Sequence, residues 1–86
     1  MKNHIIFYSK KGCHLCEGLH DKLTSIQDFE LQIEMRDIET NEDWFARYEY
    51  EIPVLTIIKN GSEVILPRFS PRLSIQKIAQ KLATYF

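Results

Sequence analysis

The sequence predicts an α/β domain in which one four-stranded mixed sheet carries helices on both faces, in the order β-α-β-α-β-β-α. Three observations carry that expectation. Ile5-Ile6-Phe7-Tyr8 is an apolar run without polar alternation, as in a central strand buried on both faces. Segments early and late in the chain instead repeat apolar residues at spacings of three and four, the pattern of amphipathic helices. In the second half, Asn60-Gly61 separates two β-rich runs and marks a tight hairpin, because both positions tolerate positive φ.

Taken in order, Ile5 to Tyr8 forms the first strand. Leu15, Leu19, Leu23 and Ile26 then recur at spacings of four, four and three, predicting a helix from about His14 to Gln27. Leu31, Ile33 and Met35 alternate with Gln32, Glu34 and Arg36, which reads as a half-buried strand. Thr40, followed by Asp43, resembles a helix cap with an acidic first turn, opening a short helix through Trp44, Phe45 and Tyr48. Val54 to Ile58 and Glu63 to Leu66 are the hairpin strands and should be antiparallel neighbours. Ser70-Pro71 supplies an N-cap and a first-turn proline for a last helix with Ile75, Ile78, Ala79, Leu82 and Phe86 on one face.

At 86 residues the chain is expected to be a single domain, 1–86, with apolar residues for one core. A net charge of -1 sets nucleic acid aside as the main partner, since such binders carry a basic surplus. Met1-Lys2-Asn3-His4 leads into four strongly apolar residues before Ser9-Lys10-Lys11, too few for a secretory leader or a membrane span. The expectation is a cytoplasmic protein with no membrane partner. In a reducing compartment two cysteines point to catalysis or metal binding rather than to a permanent cross-link.

Those two cysteines are the main chemical signal. Cys13-His14-Leu15-Cys16 follows the first strand and opens the first helix. There the first sulfur faces unpaired backbone N–H groups and the positive end of the helix dipole, which favours thiolate, the attacking species in disulfide exchange. A zinc half-site and a structural disulfide are the alternatives. For zinc, Cys13, Cys16 and His20 would be joined by His4 or an external thiol, but a structural site usually pairs two such knuckles and the chain has one. Trp44, Phe45, Tyr48 and Tyr50 form either a recognition surface or core and rim packing.

The element order, the Cys-x-x-Cys at the first strand-to-helix junction, and Ile52-Pro53-Val54 opening the third strand together resemble the glutaredoxin-like branch of the thioredoxin-fold family. The resemblance covers nearly the whole chain. Ser9-Lys10-Lys11-Gly12-Cys13 is similar to the glutaredoxin lead-in, and Gly-Cys-His-Leu-Cys-Glu looks like a small bacterial and plastid-type subgroup. The resemblance implies that Cys13 is the exposed nucleophile and Cys16 the resolving thiol, passing through a mixed disulfide to a Cys13–Cys16 bond. It implies a cis Pro53, with the backbone of Ile52 left to pair with an extended substrate. Lys10 would meet a carboxylate of glutathione, His14 would tune the thiolate, and Leu15 would stand beside the site.

Substrate choice is read from departures. Glutaredoxins usually carry proline and an aromatic residue between the cysteines, where His14 and Leu15 stand here. They also carry a Gly-Gly turn after the fourth strand that grips the γ-glutamyl end of glutathione, whereas this chain has Leu66-Pro67-Arg68-Phe69-Ser70-Pro71. Proline has no N–H to donate, and Arg68 and Phe69 add bulk where glycine permits close approach. The turn therefore argues against glutathione binding, with Ser70 the remaining polar contact and Arg68 a new fork for a carboxylate. The expectation is a monomeric dithiol–disulfide oxidoreductase with no tightly bound cofactor. It would act on protein or small-molecule disulfides and be reduced by glutathione or a thioredoxin-type system. The alternative is a redox-sensing or metal-binding module with little turnover, including one that shares a glutathione-ligated iron–sulfur cluster between two chains.

Overall fold

A computed structural model describes residues 3–86, so Met1 and Lys2 of the expected 1–86 domain lie outside the described residues. The strands are β1 (Asn3–Ser9), β2 (Leu31–Asp37), β3 (Val54–Lys59) and β4 (Ser62–Ile65), and the helices are α1 (His14–Thr24), α2 (Glu42–Tyr48) and α3 (Ile75–Ala83). The sheet order is β2-β1-β3-β4, with β1 and β2 parallel and the other two pairings antiparallel. This is the predicted mixed sheet in the predicted element order.

β1 lies between β2 and β3, and Ile5, Ile6, Phe7 and Tyr8 are each at most 2% exposed, which explains the absence of polar alternation in that run. Period two splits these four side chains between two cores. Ile5 and Phe7 join Leu23, Leu55, Ile57, Ile78 and Leu82 on the side of α1 and α3. Ile6 and Tyr8 join Ile38, Tyr48 and Val54, with Trp44 and Phe45 packed against them, on the side of α2. Trp44, Phe45 and Tyr48 are thus packing residues, while Tyr50 alone of that group is largely exposed. At the hairpin, Asn60 and Gly61 take φ of 54° and 80°, as that dipeptide requires.

Element boundaries differ from expectation where polar side chains bond locally. α1 ends at Thr24 rather than Gln27, because the Thr24 and Ser25 hydroxyls donate back to the Asp21 carbonyl at 3.0 and 2.8 Å. α2 is capped by Asn41, whose Oδ1 accepts from Asp43 and Trp44 N–H, whereas Thr40 closes a 3-10 turn by donating to Asp37 O at 2.7 Å. α3 starts four residues later than Ser70-Pro71 indicated, because Ser74 is its cap, accepting from Lys77 N–H at 3.2 Å. Ser70 nucleates a separate upstream turn, its Oγ accepting from Arg72 N–H and its carbonyl from Leu73 N–H. Several residues of the expected apolar sets are exposed, among them Leu15 at 51%, Met35 at 49%, Ile75 at 40% and Phe86 at 44%.

Under α2 lies a polar network that joins distant parts of the chain. Tyr8 donates its hydroxyl to Glu63 Oε2, Thr56 donates to the same oxygen at 2.7 Å, and Arg36 donates to the Tyr8 oxygen at 2.9 Å. The Arg36 guanidinium also lies over the Tyr8 and Trp44 rings, 5.6 and 5.1 Å from their centroids. Burial and then the neighbouring Glu63 push the Tyr8 hydroxyl up to about 12. For Glu63, burial alone would raise the carboxyl, but the Tyr8 and Thr56 hydrogen bonds and the Arg36 and Arg47 charges outweigh it and hold it below the ordinary range. The network should therefore stabilise the fold above the ordinary carboxylate value and lose that contribution as pH falls through the depressed one. At the alkaline end its contribution should be lost as pH rises from Tyr's ordinary ~10 toward 12. Tyr8→Phe should cost about 1–3 kcal/mol at neutral pH by removing a donor to Glu63, and should flatten both limbs. Thermal melts of both proteins at acidic, neutral and alkaline pH check this, and parallel stability profiles would overturn it.

Candidate functional site

β1 delivers the chain to a turn in which the Lys10 carbonyl accepts from Cys13 N–H at 3.4 Å. Gly12 takes φ of +79° there, a conformation costly for other residues. Cys13 is then the N-cap of α1, with extended backbone at φ -86° and ψ 100°. Its Sγ occupies the place of a capping oxygen and accepts from Cys16 N–H at 3.2 Å. The two cysteines are joined as a disulfide with their Cα atoms 5.2 Å apart, Cys13 half-buried and Cys16 4% exposed. Cys13 is thus the more exposed of the two, at the helix start, and Cys16 lies a turn inside the helix and buried.

A groove of about 210 Å³ opens beside this pair. His14, Leu15 and Lys22 from α1 form one wall, and Pro53, Arg68 and Ser70 stand across from them. A second cavity, about 340 Å³, shares Leu19, Pro53, Arg68 and Phe69 with the first. The structure thus gathers His14, Leu15, Pro53, Arg68 and Ser70 around one groove, whose lining includes neither cysteine.

Three expected contacts fall elsewhere or are already engaged. The Ile52–Pro53 bond is cis, and Ile52 N–H donates to Tyr48 O at 3.1 Å, so that one backbone donor is engaged within the fold. Lys10 lines a different cavity, with Cys16 and His20, and not the groove. Arg68 faces Glu51, Nη1 to Oε2 at 3.6 Å, which competes with its use as a free carboxylate fork. His14 is 94% exposed in its side chain and turns toward Glu17 at 3.7 Å. The zinc alternative gains no geometry, since among the described residues no three His, Cys, Asp or Glu side chains are grouped to hold a metal ion.

Lys22 is the residue that sequence reasoning passed over. Its Nζ donates to the carbonyls of Pro71 and Leu73, at 2.6 and 2.8 Å, and so ties the loop after β4 to α1. Its partners lie some fifty residues along the chain and are backbone atoms, so no local pattern announces the contact.

A family model described as a glutaredoxin-like domain (DUF836) matches residues 4–83. The chain belongs to the glutaredoxin-like domain family. No curated protein matches it. Among solved structures it is similar to thioredoxin 1 from Thermosipho africanus TCF52B, with TM-score 0.62, 24% identity, and coverage of 99% of this chain and 93% of that one. A structural-genomics target protein from X. campestris gives TM-score 0.63 at 18% identity, covering 93% and 96% of the two chains. A malarial protein gives 0.58 at 13% identity, covering 98% and 97%. At these identities the likeness establishes the thioredoxin fold. For this glutaredoxin-like domain, family and fold together with a bonded Cys13–Cys16 pair support a redox role. Among the described residues no helix is long and apolar enough to cross a membrane.

Proposed function

We propose that this glutaredoxin-like domain is a dithiol–disulfide oxidoreductase of the cytoplasm that acts as a monomer on protein or small-molecule disulfides. Cys13 thiolate attacks a substrate sulfur, the substrate's other sulfur leaves as a thiol, and a mixed disulfide remains on Cys13. Cys16 then attacks Cys13, which releases the second substrate thiol and leaves the Cys13–Cys16 bond. An external dithiol of the thioredoxin type, or glutathione acting in solution, reduces that bond and restarts the cycle.

The supporting observation is the asymmetry of the pair. Cys13 Sγ caps α1 and accepts a backbone N–H, as a thiolate would, while Cys16 is buried. Donors and the dipole at a helix start bring cysteine pKa values down to roughly 3.5–7.5, and burial in apolar surroundings works the other way. Alkylation of the reduced protein at mildly acidic pH, read by mass spectrometry, should therefore label Cys13 well before Cys16. Equal labelling of the two native thiols would remove the basis for their roles.

A further inference from the structure

Cys16 can resolve a mixed disulfide only as a thiolate. Yet it is 4% exposed, and burial disfavours the charged form of a thiol. Its own backbone N–H is directed at the Cys13 sulfur, so that donor does not serve Cys16. The Cys16 proton needs an acceptor beside its own sulfur.

A cavity of about 190 Å³ opens there, bounded by Cys16, His20, Lys10, Glu17 and Asp21, with Ser9 and Met35 completing it. At ~30 Å³ per molecule it has room for water bridged between polar side chains. His20 lies one helical turn beyond Cys16, at the four-residue spacing that puts both on one face of α1. It is half-buried, and its ring meets Phe7 of β1 edge-on, 6.0 Å between centroids at 79°. The other titratable groups facing this cavity, Lys10 from the turn after β1 and Glu17 and Asp21 from α1, are exposed, and Glu17 also faces His14. An imidazole both accepts and returns a proton between pH 5 and 8, which neither a lysine nor an exposed carboxylate does.

We infer that His20 is the proton acceptor for Cys16 in the resolving step, reached through water in this cavity. The inference rests on the oxidoreductase reading above. The Cys16 S–H proton passes to the His20 imidazole, and the Cys16 sulfur uses the freed electron pair to bond Cys13 Sγ. The bond from Cys13 to the substrate breaks, and the departing substrate thiolate takes a proton, returning His20 to neutral through solvent. The dithiol loses two electrons and the substrate disulfide gains them.

Rapid-mixing kinetics with a small aromatic disulfide separates the two steps, since each releases one chromophoric thiol. His20→Ala should leave attack by Cys13 unchanged and slow the second release by about tenfold or more near neutral pH. Added imidazole should restore that second phase in His20→Ala. His20→Phe, which keeps a ring against Phe7, should show the same slow phase without rescue. An unchanged second phase in both variants would overturn the assignment. So would slowing that imidazole does not relieve, or slowing found in Asp21→Asn or Glu17→Gln but not at His20. Failure of wild-type Cys13 to attack at all would instead overturn the oxidoreductase reading, and this inference with it.

Discussion

Replacing Cys13 by serine is expected to lower disulfide exchange by about a thousandfold or more, because it removes the group that forms the covalent intermediate. Cys16→Ser should behave differently. Its Cys13 remains at the N-cap of α1, free of its disulfide partner, so the variant should attack substrates and then stall as a stable mixed disulfide. Mass spectrometry of each variant after incubation with a disulfide peptide checks both outcomes. An adduct on Cys16 in the Cys13→Ser protein, formed as fast as on wild-type Cys13, would reverse the assigned roles. Both side chains are small, and serine preserves the N-cap, so loss of fold should not confuse the comparison.

Glutathione is expected to bind weakly, with a dissociation constant of about 1 mM or more, equivalent to ~4 kcal/mol or less. The loop after β4 carries Pro67 and Pro71, which lack N–H donors, and Lys22 holds its later part against α1 through the Pro71 and Leu73 carbonyls. Arg68 and Phe69 put bulky side chains on the lining of both cavities, and Ile52 N–H is spent on Tyr48. Lys10, which would attract a carboxylate, stands on the cavity of Cys16 rather than on the groove. Calorimetric titration of Cys16→Ser with a non-reactive S-alkyl glutathione tests this. Tight binding lost in Arg68→Ala would mean that Arg68 exchanges Glu51 for the ligand and that the altered turn has become a glutathione site.

The fold was legible because its signals are local. An unbroken apolar run, helical stripes and Asn60-Gly61 each specify their element without reference to distant residues. Helix starts were less legible, since Ser70 and Ser74 both have capping chemistry and Pro71 made the first of them look right. The difference is that the chain turns back at Ser70 and only begins its helical ladder after Ser74. At the site, the cysteines and Pro53 could be placed from sequence, but the side of the disulfide on which Lys10 falls could not. The bond from Tyr8 to Glu63 spans 55 residues and carries no local pattern, as does the Lys22 clamp.

The position of β1 has a consequence for how the molecule opens. Backbone amides in the middle of a sheet exchange with solvent last, through the rarest and most complete unfolding, while edges and termini fray at little cost. β1 is held on both sides by β2 and β3, whereas β4 is an exposed edge. The turn carrying Cys13 is thus suspended from the slowest-exchanging segment of the chain. Fluctuations of the edge can pass to the loop after β4, which supplies Arg68, Phe69 and Ser70 to the groove, while the two sulfurs keep their mutual placement.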